Sequence, residues 1–201
     1  MSNNFIILTI SFTYLGMELS VNLARLGATV ICLDINEAGN QETERRLQKV
    51  GGKYHMFVCD VSDKVSVDRV SQEILESIGV PSLLINNAAI TKRKTFLEHT
   101  QQELEELFSI NVVGPMFLIR NFLPAMLQDP NNRHHIVGIS SIVGMLGTPN
   151  MVPYSATKFA MTGFMEGLNY ELMADKGMNM VLTTVHPFLV SSENNRKPSL
   201  R

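Results

Sequence analysis

Short apolar runs of strand length alternate along this chain with longer stretches in which apolar residues recur at helical spacing. Phe5–Ile10 (FIILTI) is the first such run, and Glu18–Leu26 follows with leucines at 19, 23 and 26 on one helical face. Gly27 ends that helix, as suits a residue that tolerates the left-handed position after a C-terminus. Ala28–Asp34 (ATVICLD) is a second strand closing on an acid, and a polar helix over roughly Glu37–Val50 leads through Gly51-Gly52 to a third strand, Tyr54–Asp60. Val67, Val70, Ile74 and Ile78 share one side of a helix over Asp63–Ile78, and Ser82–Asn86 (SLLIN) is a short buried strand. A long helix runs from about Thr100 to Leu127, broken or kinked near Gly114-Pro115 and Pro124. His135–Ser140, Pro153–Lys176 and Met178–Val185 read as strand, helix and strand, stopped by Pro187.

Strands that are apolar throughout and separated by helices call for a parallel sheet covered on both faces. Right-handed crossovers then make it a doubly wound, Rossmann-like α/β sheet. The pattern predicts one domain over residues 1–190 and a loose polar tail over 191–201. The first apolar stretch lacks the basic flank and cleavage site of a signal peptide, and is too short and too rich in Ser and Thr for a membrane span.

Composition narrows this little. The chain is 45% hydrophobic and 18% charged with a formal net charge of -2, which excludes a disordered chain and gives no electrostatic reason for nucleic-acid binding. Cys32 and Cys59 read as buried strand thiols, and no histidine or cysteine spacing suits a metal. His134-His135 is expected at the surface or a strand edge, and His186 in a structural role. The twelve methionines read as flexible core filler, with Met145, Met151 and Met161 near the rim where a ligand would sit.

In an open parallel sheet, ligands bind beyond the carboxyl ends of the strands. The polar residues expected there are Asp34, Asp60, Asn86, Asn87, Ser140, Ser141 and His186. A carboxylate at Asp34 can accept both ribose hydroxyls of an adenosine while repelling a 2′-phosphate, which favours NAD(H). Asp34 would serve equally well as an N-cap for the next helix. Tyr154 and Lys158 lie four apart near a helix start and so share a face. A tyrosine titrates near ~10, and a nearby ammonium draws that value toward the range where proton transfer works. Ser141, thirteen residues before Tyr154, could hold a substrate oxygen.

With these residues assembled, the chain resembles the short-chain dehydrogenase/reductases. CDV at 59–61, NNAA at 86–89, IN at 110–111, ISSIVG at 139–144, YSATK at 154–158 and HPFLVSS at 186–192 carry the resemblance. RLGATVICLDIN and PNMVPYSATKFAMTGFMEGLNYEL look most like the membrane-associated branch acting on retinol and 17β-hydroxysteroids. The resemblance implies Tyr154 as proton donor or acceptor and Ser141 as the group orienting the carbonyl or hydroxyl. Lys158 would bind the nicotinamide ribose and lower the Tyr154 pKa. Asn111 would hold a helix kink and support a water relay. Gly16 would pack the first helix on the sheet, Asp34 bind the adenosine ribose, Asp60 and Val61 the adenine, and Asn87 the region near the ribose. Pro187, Val190 and Ser192 would contact the nicotinamide end. It further implies a lipophilic alcohol or ketone as substrate, NAD as cofactor, a homodimer through the two long helices, and a location on the cytoplasmic side of the endoplasmic reticulum or at lipid droplets.

Three departures cut against activity. The phosphate-binding turn, Thr-Gly-x-x-x-Gly-x-Gly in the family, here reads Thr9-Ile10-Ser11-Phe12-Thr13-Tyr14-Leu15-Gly16. A left-handed backbone at Ile10 would cost roughly 1–2 kcal/mol, and Tyr14 puts a ring where a glycine admits the pyrophosphate. Ala89 replaces the last glycine of NNAG. The chain is also short at both ends relative to that branch, so the resemblance implies a sheet truncated after the sixth strand, which would leave an unpaired sheet edge and an open substrate pocket. The alternative is therefore a degenerate family member with little turnover that binds or dimerises; a flavodoxin-like FMN-binding or signalling domain shares the sheet but lacks the Tyr/Lys pair.

Overall fold

The computed structural model describes residues 5–9, 14–129, 132–174 and 179–188. The strands are β1 (Phe5–Thr9), β2 (Thr29–Asp34), β3 (Lys53–Val58), β4 (Leu83–Asn86), β5 (His134–Ile139) and β6 (Met180–Val185). The helices are α1 (Tyr14–Arg25), α2 (Glu37–Lys49), α3 (Lys64–Ser77), α4 (Gln101–Phe108), α5 (Gly114–Leu127) and α6 (Val152–Met173). The strands form one sheet in the order β3-β2-β1-β4-β5-β6, and every pairing is parallel. The order reverses between β1 and β4, so those two strands flank the crevice at which such sheets bind ligands.

Because side chains alternate across a strand, β1 feeds two cores. Ile7 joins Ile31, Leu84 and Ile136 beneath α3, α5 and α6, where Phe122, Leu118, Met126, Met161 and Met165 cover them. Ile6 and Leu8 join Val30, Cys32 and Ile85 on the other face, closed by Val21, Ala24 and Leu47 of α1 and α2. Each large side chain taken fully out of water contributes roughly 1.5–3 kcal/mol, so these two layers hold the sheet's rim in place. Both cysteines are buried thiols, as expected.

Several expectations need correction. Among the described residues β3 is an edge strand whose exposure alternates, with Lys53 and His55 in solvent, rather than a strand buried on both faces. It ends at Val58, leaving Cys59 and Asp60 in the following loop. Helix α1 begins at Tyr14, earlier than its leucine pattern indicates. His134 is 2% exposed, not a surface residue, and its Nδ1 bonds the Pro81 carbonyl at 2.8 Å, tying β5 to the turn before β4. The break in the long helix is a π-helical turn over Ser109–Val113, not a disruption at the prolines, since Pro115 sits in the first turn of α5 and Pro124 inside it. Together the segment Gln101–Leu127 is long and apolar enough to cross a membrane, yet Leu107, Leu118, Phe122 and Met126 are buried within the fold. The tail at 191–201 lies outside the described residues.

Phe122 is fully buried at the centre of the larger core. Phe122→Ala is expected to destabilise the chain by about 3–5 kcal/mol, read from a urea unfolding midpoint. An unchanged midpoint would mean that α5 does not pack on the sheet as described.

Candidate active site

The carboxyl ends of β4 and β5, the π turn and the start of α6 converge on one place. A π turn inserts an extra residue and frees backbone bonding groups, so something must hold it. Asn111, in the middle of that turn, is 2% exposed and does so with its side-chain amide. Its Oδ1 accepts from Ile90 N at 2.8 Å, and its Nδ2 donates to the Ile90 carbonyl at 2.9 Å and to Thr157 Oγ1 at 3.1 Å. Thr157 Oγ1 in turn donates to the Tyr154 carbonyl at 2.7 Å. The amide thus locks the segment after β4 to the first turn of α6, where Tyr154 and Lys158 stand. The kink expected at Asn111 is this turn.

Ser141 follows β5 and caps the short turn Ile142–Gly144, with Oγ accepting from Val143 N at 3.4 Å. The Ser141 side chain acts on the Tyr154 phenol, favouring its charged form. Neighbouring Ser140 donates to the Lys158 carbonyl at 3.0 Å and shares a bond with Thr162 Oγ1 at 2.9 Å, stapling this loop to α6. Gly144 makes the contact possible: a Cβ there would lie 2.5 Å from Ser140 Oγ and 2.8 Å from the Lys158 carbonyl. From the far side, Pro187 O accepts from Ile142 N at 2.9 Å and His186 Nδ1 bonds the Ser141 carbonyl at 3.1 Å. His186 is therefore structural, as expected, and Pro187 lies beside the serine loop.

Lys158 is 3% exposed, and its ammonium donates to the Ile139 carbonyl at 2.8 Å. Nζ stands 5.6 Å from the centre of the Tyr154 ring. Burial pushes the lysine down to about 8. Burial also pushes the tyrosine above its ordinary value, offset in part by the Ser141 side chain. This differs from the expected depression of Tyr154 by Lys158. The ammonium is engaged by the Ile139 carbonyl, and desolvation is the largest influence on the phenol.

On the adenosine side, Asp34 ends β2 and is 4% exposed. Its Oδ1 accepts from Asn36 N at 2.9 Å, whereas Oδ2 is buried with no partner. The helix cap is Asn36, which accepts from Gly39 N at 3.0 Å, so Asp34 does not have the N-cap role that would explain it away. Burial raises its carboxyl to about 6. A buried carboxylate oxygen with no partner among the described residues suits a ribose hydroxyl at this rim. Asp60 Oδ1 accepts from Ser62 N at 2.9 Å and Ser62 Oγ at 2.6 Å, and the cap of α3 is Asp63. Val61 is buried against Gly114, where a Cβ would sit 2.7 Å from its carbonyl oxygen.

Asn87 is 5% exposed, and its Nδ2 donates to the Thr9 carbonyl at 3.0 Å. Thr9 Oγ1 accepts from Asn87 N at 2.8 Å and Ala88 N at 2.9 Å, joining the ends of β1 and β4. Asn86 is buried with neither amide atom partnered. Gly16 is buried in the first turn of α1, and Tyr14 opens that helix half-exposed. Ile10, Val190 and Ser192 lie outside the described residues. Among the described residues no cluster suits a metal ion. The residues missed from the sequence are Thr157, Gly144 and Ile90. The first two fall inside the YSATK and ISSIVG segments, while Ile90 acts through its backbone and leaves no side-chain signal.

A family model described as short chain dehydrogenase matches residues 4–199. Human epidermal retinol dehydrogenase 2 is 34% identical over 192 residues, 95% of this chain and 62% of that protein. Human estradiol 17-beta-dehydrogenase 11 is 30% identical over 185 residues, 92% of this chain and 61% of that protein. The chain thus spans about three fifths of the length of these relatives. Among solved structures, a short chain dehydrogenase/reductase from Burkholderia phymatum in complex with NAD superposes with a TM-score of 0.88 at 26% identity, covering 99% of this chain and 72% of that one. A metagenomic short-chain oxidoreductase in complex with NADP gives 0.85 at 25% identity, covering 92% and 82%. A six-stranded parallel sheet ordered 3-2-1-4-5-6, Tyr154 and Lys158 on one helix face beside Ser141, and a model match over nearly the whole chain make this protein a member of the short-chain dehydrogenase family.

Proposed function

We propose that this chain is the nucleotide-binding and proton-transfer part of an NAD(H)-dependent oxidoreductase that interconverts a lipophilic alcohol, retinol- or steroid-like, with its aldehyde or ketone. The observation that carries this reading is the buried Lys158 ammonium 5.6 Å from the centre of the Tyr154 ring, on the helix that follows the Ser141 turn. The bound nicotinamide would supply or accept the hydride at its C4 carbon. Ser141 orients the substrate oxygen, and Tyr154 gives that oxygen a proton in reduction or takes one in oxidation. Asn111 supports a water relay that refills the proton through Lys158. Asp34 would hold the adenosine ribose, Asp60 and Val61 the adenine, Asn87 the region beyond it, and Gly16 the packing of α1. Lys158, Pro187, Val190 and Ser192 would hold the nicotinamide end. The unpartnered Asp34 oxygen supports NAD(H) over NADP(H), because a 2′-phosphate would meet a carboxylate there. Membrane association, on the cytoplasmic side of the endoplasmic reticulum or at lipid droplets, is part of this reading and rests on the resemblance to the retinol and steroid branch.

A second reading keeps the fold without turnover, as a dimerising module. Tyr14 at the position of the pyrophosphate glycine favours it. So does an apolar groove of about 630 Å³ between α5 and α6, lined by Met116, Ile119, Leu123, Leu127, Phe164 and Leu168. Light scattering on the eluting protein is expected to give a dimer, and a monomer at all concentrations would remove this reading.

Three outcomes test the first reading. Tyr154→Phe is expected to lower kcat by at least about 100-fold with NADH affinity unchanged, measured by steady-state kinetics and calorimetry. Restoring Ile10→Gly with Tyr14→Gly is expected to tighten NADH binding about tenfold or more, the scale of relieving roughly 1–2 kcal/mol of strain; no saturable binding in either form would end the proposal. Lys158 titrates near 8 when folded against an ordinary 10.5, so the unfolded chain holds that proton more tightly and the fold bears the cost of the buried charge. That cost is complete below pH 8 and fades as pH approaches 10.5. Lys158→Met should therefore stabilise the chain by about 3 kcal/mol at pH 7, with the gain disappearing by pH 10.5, while abolishing turnover. A stability difference independent of pH would refute the burial argument.

A further inference from the structure

Two loops follow the carboxyl ends of β4 and β5, and the second joins the Ser141 turn to the helix that carries Tyr154. The first, residues 90–100, is clamped at its start by Asn111 and carries exposed Phe96 and Leu97. The second, residues 145–151, carries exposed Met145 and Leu146 and leads into α6. One backbone bond joins them: Lys94 N donates to the Asn150 carbonyl at 3.0 Å. Asn150 has φ 59, the only left-handed residue other than glycine among those described, a conformation that persists when its surroundings hold it.

The hold on Lys94 comes from outside both loops. Glu103, in the first turn of α4, accepts from Lys94 Nζ at 2.5 Å and from Thr100 N at 2.9 Å through Oε2, while Oε1 faces Lys92 Nζ at 3.9 Å. Its side chain is 23% exposed and that of Lys94 28%, so solvent screens this pair less than a free surface pair. These bonds hold the Glu103 carboxyl down at about 2, so it stays charged throughout the working range. The Glu106 carboxylate meets Lys92 alone, at 2.6 Å.

We infer that Glu103 is a positioning residue that latches the two loops together through Lys94, setting the apolar wall against which a substrate binds. The inference rests on the oxidoreductase reading for its substrate and on geometry alone for the latch. The reacting groups are anchored elsewhere: Lys158 on Ile139, Ser140 on α6, and Tyr154 through Thr157 and Asn111. Releasing the latch should therefore change how well a substrate is held and leave the proton-transfer step alone.

Glu103→Gln keeps the side chain's length and its acceptor for Thr100 N but loses the ion pair, and Lys94→Met removes the pair from the other side. In each variant, hydrogen exchange at the Lys94 amide should quicken by about fivefold, the scale of one part-exposed ion pair. KM for a retinol-like alcohol should rise by a similar factor, with kcat within twofold and NADH affinity unchanged. Glu106→Gln should move none of these. Unchanged exchange at Lys94 in both variants overturns the latch. Faster exchange with an unchanged KM, or a loss confined to kcat, overturns its role in substrate binding. If the parent chain shows no turnover, the oxidoreductase reading fails while the exchange measurement still decides the latch.

Discussion

A protonated amine with almost no access to water is costly to keep, and Lys158 is such an amine. Its ammonium has the Ile139 carbonyl at the end of β5 and the face of the Tyr154 ring, and little else. Around it the protein builds a frame: Ser140 and Gly144 press the β5 loop onto the lysine's own backbone, and Asn111 and Thr157 fix the preceding helical turn. Together they keep the charge beside the phenol rather than letting α6 slide until the amine reaches solvent.

This frame explains which parts of the site are legible in the sequence. Tyr154 and Lys158 reveal themselves by a spacing of four on a helix, and Ser141 by its place after an apolar run. The supporting bonds do not, because they fall on backbone atoms or on residues with an ordinary local explanation. Asn111 clamps Ile90 through main-chain groups that any residue at 90 would supply. The mutual effect of Tyr154 and Lys158 is also invisible from spacing. Sequence proximity suggests that the cation lowers the phenol, and burial reverses the sign in the isolated site.

The fold is more legible than the site for a related reason. Buried strands of a parallel sheet are largely apolar, and β1, β2 and β4 are so apart from Thr29 and their polar last residues Thr9, Asp34 and Asn86. Sequence and structure part where burial is one-sided or where a polar residue is buried. Edge strand β3 loses its apolar character on the outer positions, and buried His134 looks like a surface residue until its bond to Pro81 is seen. The π turn shifts the apolar stripe by one residue, about 100°, and in a stretch as largely apolar as 110–119 that shift leaves no visible break.

Thr9 gives a different perspective on the altered turn that follows it. Its hydroxyl receives two amide hydrogens from the segment after β4, Asn87 N–H and Ala88 N–H, and passes its own proton towards the Ile85 carbonyl at 3.4 Å. A valine of the same shape would leave both amides stranded in the interior, at about 1–3 kcal/mol each. The threonine is thus a rivet between the two halves of the sheet, needed whether or not a nucleotide ever binds. Its presence beside Ile10 and Tyr14 therefore says nothing about cofactor capacity. A chain can lose the glycines of its phosphate turn one by one and still be compelled to keep this hydroxyl, so a partial motif here marks an intact seam rather than a surviving grip on phosphate.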